Sequence, residues 1–162
     1  MTERTARQIV LAARPHGRVQ LSDFRVEETA VPVPGAGQIL LAVQYLSLDP
    51  YMRGRMDDRK SYAKPVQIGE VMVGESVATV IASNRSAYAV GDTVVASTGW
   101  RTHWLSEGKG LRKLDATLAP VTTALGVLGM PGFTAYSGLH LRPLVADIGR
   151  LMSGGKAQQS CG

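Results

Sequence analysis

The segment Gln38–Leu48, QILLAVQYLSL, gives the clearest secondary-structure signal in this chain. Apolar side chains occupy every second position from residue 39 to residue 45, which is the period of a β-strand. The alternation predicts a strand whose buried face carries Ile39, Leu41, Val43 and Tyr45. The preceding PVPGAG is rich in turn-forming residues and predicts the point at which this strand begins.

Shorter apolar runs on both sides of this segment also have the character of β-strands. They are rich in β-branched residues and are bounded by Gly, Pro, Asn and Asp. The predicted runs are Val19–Glu27, Glu70–Ser83, Thr93–Ala96, Trp100–Leu105 and Leu111–Leu114. Gly74 predicts a bulge or bend of the kind that lets a sheet curl. Because no long helix separates these runs, the pattern favours a mainly β barrel or sandwich over a βαβ array.

The apolar period changes to that of a helix near the C-terminal end. A first short helix, closed by Gly129, is predicted from apolar residues at helical spacing, namely Leu118, Val121, Leu125 and Leu128. A second is predicted from Pro131 to a stop at Pro143. One side of it carries Phe133, Tyr136 and His140. Residues 140–162 are small and polar at their end, which predicts a disordered tail.

Composition excludes several classes of protein. The chain has 162 residues, 44% of them hydrophobic, and a formal net charge of +5 that is spread along the sequence. We therefore expect a globular protein. We do not expect it to bind nucleic acid, because the net positive charge is the only feature that would favour such binding. No apolar run approaches the roughly 18 residues of a membrane helix. Cys161 is the one cysteine, so we expect a reducing compartment and a cytoplasmic location.

The motifs of metal and nucleotide sites are missing from the sequence. The histidines are far apart, no paired Cys-x-x-Cys occurs, and we predict no metal. Each Gly-x-Gly, at residues 35–37 and 108–110, lacks the third glycine of a dinucleotide-binding turn. Gly155-Lys156 lacks the other residues of a phosphate-binding loop. We find no dinucleotide-binding motif within this sequence.

A basic segment follows the clearest strand. The segment between Pro50 and Lys64 contains five Lys and Arg residues but only two Asp residues, and it has the character of a loop. Such a segment is usually solvated surface, although a ligand phosphate, a partner or nucleic acid would also be attracted by it. Tyr51 stands at its start, where its neutral phenol either packs at the rim of a barrel or points into a cleft and donates a hydrogen bond.

Two stretches resemble signatures of the zinc-free medium-chain dehydrogenases/reductases. They are LDPYMRGRM at residues 48–56 and GMPGFTAYSGL at residues 129–139. Between them, GEVMVGE at residues 69–75 and YAVGDTV at residues 88–94 are similar to the middle of the GroES-like barrel of that family. The resemblance covers about residues 7–139. It is nearest to the group of leukotriene B4 dehydrogenase, prostaglandin reductase and curcumin reductase.

The resemblance implies a GroES-like domain that shapes a substrate cleft and a separate Rossmann domain that holds NADP. It implies a reductase that moves a hydride to the double bond of an enone or enal, with no metal. By the same resemblance, Tyr51 is the candidate catalytic residue that contacts substrate or nicotinamide. Met130 and Thr134 are the candidates for cofactor binding. Core packing at the start of a helix is the alternative for Met130 and Tyr136.

The resemblance ends near residue 139, and the glycine-rich turn of a Rossmann domain does not follow. We therefore expect three parts: a GroES-like domain at residues 7–120, interdomain helices at 121–139, and a divergent tail at 140–162. A chain truncated in this way would bind NADP poorly and could associate, as a homodimer, through apolar residues left exposed. The alternative function is a non-catalytic module that binds a partner or regulates a relative.

Overall fold

The structure, a computed structural model, describes residues 5–59 and 63–140. This part of the chain is mainly β, as predicted, with short helices. The strands are β1 (Thr5–Leu11), β2 (Phe24–Ala30), β3 (Ile39–Leu46), β4 (Ser76–Ser83), β5 (Thr93–Ala96), β6 (His103–Ser106) and β7 (Arg112–Lys113). The helices are α1 (Tyr51–Arg55) and α2 (Met130–His140). The chain divides into two compact units, Met1–Leu125 and Gly126–Gly162.

The strands of the first unit form two sheets. The larger has the order β6-β3-β4-β5-β7, and each pair of neighbours is antiparallel. The smaller is the antiparallel pair β1-β2. Isolated bridges from β1 reach Arg101 and Val71, so the first strand contacts the segments that lead into β6 and β4. No helix in the part of the chain that the structure describes is long and apolar enough to cross a membrane.

The central strand β3 confirms the strand predicted at Gln38–Leu48 but corrects its buried face. Ile39 and Leu41 are fully buried in the main core cluster, whereas Val43 is half-buried. Tyr45 is 50% exposed, so its predicted place in the core is wrong. The pairing with β4 shifts between Val43 and Tyr45, which leaves Gln44 as an extra residue. Such a bulge interrupts the alternation of faces on which the prediction rested.

The run Glu70–Ser83 is two pieces rather than one strand. Val71 bridges to Val10 of β1, whereas pairing with β3 begins at Ser76. Gly74, where a bulge or bend was predicted, lies between the two pieces. A Cβ on Gly74 would lie 2.9 Å from Cδ1 of Leu46, so a larger residue here would displace the end of that side chain.

Two other sequence predictions were wrong. Val19–Glu27 is not one strand, because a 3₁₀ turn at Leu21–Asp23 precedes β2. The Asp23 carboxylate accepts a hydrogen bond of 2.8 Å from the Gln20 amide and closes this turn. The helix predicted over residues 118–128 is a 3₁₀ turn at Val121–Leu125. The second predicted helix agrees with α2, while Pro143 and the tail from residue 141 lie outside the described residues.

Candidate functional site

The helix α1 positions Tyr51 as its first residue. Pro50, just before it, has the helical torsions φ −55° and ψ −32°. The next residue of the helix, Met52, and the residue that follows the helix, Met56, are both buried. These two methionines fix α1 against the first unit, and Tyr51 is half-buried at the start of the helix. The loop predicted for this segment therefore contains one helical turn.

An arginine from outside the segment fixes the end of α1. Nη1 of Arg14 donates hydrogen bonds of 2.7 Å and 2.8 Å to the backbone carbonyls of Met56 and Val66. A charged donor that bonds two carbonyls stabilises both ends of the intervening segment. Sequence analysis missed Arg14, because nothing in the local sequence signals a contact across more than forty positions.

Asp57 forms ion pairs with two of the basic residues of this segment. One carboxylate oxygen lies 2.6 Å from Nη1 of Arg53, and the other lies 2.5 Å from Nη2 of Arg59. These hydrogen bonds, first from Arg53 and then from Arg59, lower the pKa of Asp57 from 3.8 to about 2. Arg53 also donates to the carbonyl of Gly17 at 3.1 Å. Both arginines are therefore already engaged within the protein.

A pair of buried hydroxyls lies at the start of β4. Oγ of Ser76 is 2.6 Å from Oγ1 of Thr98, and Thr98 donates to the carbonyl of Gly99 at 2.8 Å. At the same end of the sheet, the Ser47 amide donates to the Glu75 carbonyl at 2.9 Å as the chain leaves β3 for α1. These polar contacts hold the strand ends from which α1 projects. Sequence reasoning did not identify them, since serine and threonine occur in many exposed loops.

The candidate cofactor residues lie on α2, in the second unit. Met130 is 47% exposed, and the Thr134 hydroxyl donates to the Met130 carbonyl at 2.8 Å. This hydrogen bond uses the hydroxyl proton and leaves the oxygen able to accept from a ligand. Further along the helix, the rings of Tyr136 and His140 lie 4.2 Å apart, which confirms that they share a side. No residue of α2 is buried.

The structure places Tyr51 in the first unit and the two cofactor candidates in the second, and their roles stay predictions. Within residues 5–59 and 63–140, no group of three His, Cys, Asp or Glu residues could hold a metal ion. The residues that the structure brings together around α1 serve to position its backbone. The side chains of Met130 and Thr134 on α2 are exposed.

Comparison with known proteins identifies relatives that align with most of this chain. This chain is 51% identical over 148 residues to the NADPH-dependent curcumin reductase of Escherichia coli (strain K12). The match covers 91% of this chain and 41% of the reductase. It is 45% identical over 121 residues to prostaglandin reductase 1 of Rattus norvegicus. That match covers 73% of this chain and 35% of the relative.

A solved structure shows the same likeness. The crystal structure of CurA from Vibrio vulnificus in complex with NADPH is 51% identical to this chain, with a TM-score of 0.77. The match covers 82% of this chain and 40% of CurA. The chain thus spans about two-fifths of the length of the relatives it matches.

The family match follows the same part of the sequence. Residues 7–114 match the family described as the N-terminal domain of oxidoreductase. That range contains every strand of the larger sheet, together with α1 and Tyr51. The resemblance inferred from the two sequence motifs is confirmed, and the chain belongs to this family of oxidoreductase N-terminal domains.

Proposed function

We propose that this chain supplies the substrate-side domain of an NADPH-dependent oxidoreductase that reduces the carbon–carbon double bond of enones and enals. The observation that carries the proposal is the 51% identity to a curcumin reductase over 91% of this chain. Curcumin is itself an α,β-unsaturated ketone. The single cysteine remains the basis for expecting the cytoplasm as the location.

The proposed reaction needs a hydrogen-bond donor at the carbonyl oxygen. When a hydride adds to the β-carbon, the electron pair of the double bond moves towards the carbonyl, and negative charge develops on its oxygen. A proton then adds to the α-carbon. A fixed donor at the oxygen lowers this barrier, because it stabilises charge that is present only in the transition state. The phenol of Tyr51, placed at the start of the anchored helix α1, is our candidate for that donor.

Met130 and Thr134 fit a nicotinamide ring by their chemistry. When bound, NADPH supplies the hydride. The exposed thioether of Met130 offers an apolar contact, and the Thr134 oxygen keeps a lone pair that can accept a hydrogen bond from an amide such as the carboxamide. Thr134 therefore acts as acceptor, because its proton is already donated to the helix backbone.

A chimera tests the proposal with a complete enzyme. In it, this chain replaces the matching two-fifths of the E. coli curcumin reductase. We expect NADPH oxidation that depends on curcumin or a simple enone. Tyr51→Phe should lower kcat by about 100-fold or more if the phenol stabilises the oxyanion. Thermal unfolding of parent and variant shows whether both remain folded.

Tyr45→Phe is the matched control, because Tyr45 is half exposed on β3 and has no proposed role. It should leave kcat unchanged. A folded Tyr51→Phe chimera with the kcat of its parent would overturn the role of Tyr51. A folded chimera with no NADPH oxidation would favour the alternative, a non-catalytic module that binds a partner.

Self-association is a separate part of the proposal. Val127 and Leu128 are 72% and 60% exposed, and Phe133 and Leu139 of α2 are exposed as well. Exposed apolar side chains this close in sequence favour association with another apolar surface. Sedimentation of the 162-residue chain should show a dimer that Leu128→Glu dissociates, and a monomer at all concentrations would contradict it.

A further inference from the structure

A polar cleft lies within the first unit, between the open end of the β1-β2 pair and β6. Its volume is about 260 Å³. The side chains that matter for its chemistry are Arg7, Gln8, Thr29, Arg101, His103 and Trp104. None of its lining residues belongs to α1, so the cleft is distinct from the position proposed for Tyr51.

Backbone hydrogen bonds hold Arg101 rigidly at this cleft. Arg101 bridges to Gln8 of β1, and the residues on either side of it are bonded to the same strand. The Ile9 amide donates to the Trp100 carbonyl at 2.8 Å, and the Thr102 amide donates to the Arg7 carbonyl at 2.8 Å. The position of the Arg101 backbone is therefore set by β1 on both sides.

The Arg101 guanidinium is a cation without a counter-ion in the described part of the chain. Its Nε is buried and has no hydrogen-bond partner there, and burial lowers its pKa. In contrast, the partly buried Arg14 and Arg53 donate to carbonyls or carboxylates. The guanidinium is half-buried and has no counter-ion among the described residues, so a bound oxyanion would supply the charge that the protein does not.

The rest of the lining is compatible with an anion. No lining residue is acidic. Nε of Arg7 pairs with Glu28 outside the lining at 3.1 Å, so its charge is compensated. Nδ1 of His103 lies 3.0 Å from the Thr102 hydroxyl, so the protein itself holds this ring at the edge of the cleft.

We propose that this cleft binds a small oxyanion, the carboxylate or phosphate group of a small molecule, with the Arg101 guanidinium as its principal ligand. The planar fork of N–H donors matches two oxygens of such a group. Trp104 provides an apolar wall for the remainder of the molecule. This inference does not depend on the reductase function.

The test is an NMR titration of the full 162-residue chain that follows the Nε–H signal of Arg101. Inorganic phosphate is added in one arm and acetate in the other, each against sodium chloride at equal ionic strength. We expect a saturable shift of that signal in at least one arm, and the arm that saturates at lower concentration identifies the group. Arg101→Gln serves to assign the signal.

Thermal unfolding supplies the controls. The anion that saturates should raise the Tm of the parent and of Arg112→Gln, whose arginine is exposed on β7, but not that of Arg101→Gln. Arg101→Lys keeps the charge and should retain part of the rise. The proposal is overturned if chloride shifts the Arg101 signal equally, if neither anion saturates, or if Arg112→Gln loses the rise as well.

Discussion

The side-chain oxygens of Ser76 and Thr98 lie 2.6 Å apart in the interior of the first unit, where both residues are almost completely buried. Thr98 has one hydroxyl proton and donates it to the carbonyl of Gly99. Ser76 must therefore be the donor to Thr98. The two hydrogen bonds form a directed chain, which runs from Ser76 to Thr98 and from Thr98 to the backbone carbonyl of Gly99.

Thr98→Val should destabilise the protein more than Ser76→Ala does. The valine leaves the buried Ser76 hydroxyl without its acceptor, at a cost of about 1–3 kcal/mol, while the Gly99 carbonyl keeps its hydrogen bond from the Arg101 amide at 3.0 Å. Ser76→Ala removes only the first donor and should cost about 1 kcal/mol. Urea unfolding measures both. The double variant should cost little more than Thr98→Val alone, and strictly additive costs would contradict the directed chain.

Gly99→Ala and Gly110→Ala should separate backbone strain from crowding. Both glycines have φ +70°. A Cβ on Gly99 would lie 2.6 Å from the Met72 carbonyl oxygen, whereas a Cβ on Gly110 would have no atom within 4 Å. Gly110→Ala should cost about 1–2 kcal/mol, the cost of left-handed backbone for alanine. Gly99→Ala should cost more by about 1–3 kcal/mol because the backbone must shift. Equal unfolding free energies would contradict the packing.

Asp57→Asn should make the Tm depend less steeply on pH under acidic conditions. The folded state lowers the pKa of Asp57 to about 2, so its ion pairs stabilise the protein fully above the unfolded value of 3.8. This contribution is lost as the pH falls through the folded value. The Tm of the parent should therefore fall more steeply between these values than the Tm of Asp57→Asn.

Asp58→Asn is the control for that measurement. Asp58 is 74% exposed and lies 3.9 Å from Arg14, so its replacement should leave the steep fall in place. Parallel profiles for the parent and Asp57→Asn would show that the Asp57 pairs do not persist in solution.

Thr134→Val should weaken NADPH binding to the chimera by about threefold to tenfold, the value of one hydrogen bond. The change removes the oxygen that we propose as acceptor, whereas Thr134→Ser keeps it and should retain the parental Kd. Nicotinamide fluorescence measures the Kd. An unchanged Kd in Thr134→Val, with helix content preserved in circular dichroism, would remove Thr134 from the cofactor site.

Prediction from sequence succeeded where structure depends on neighbours along the chain. The strand containing Ile39 and Leu41, the strand Thr93–Ala96 and the helix that begins beside Pro131 all follow from local periods and turn residues. Prediction failed for β1, for Leu21–Asp23 and for the burial of Tyr45. There, pairing between distant strands and a single bulge decided the outcome.

The sequence alone determined that the protein is mainly β, and its two motifs placed it among oxidoreductases and made Tyr51, Met130 and Thr134 candidate site residues. Only the tertiary structure showed that Arg14 and Asp57 engage the α1 segment, that Ser76 and Thr98 share a buried hydrogen bond, and that Arg101 lies unpaired at a cleft. The physical reason is distance along the chain. Periodicity reports which face of an element is apolar, whereas the partner of a buried charge or hydroxyl is chosen by which distant segments pack together.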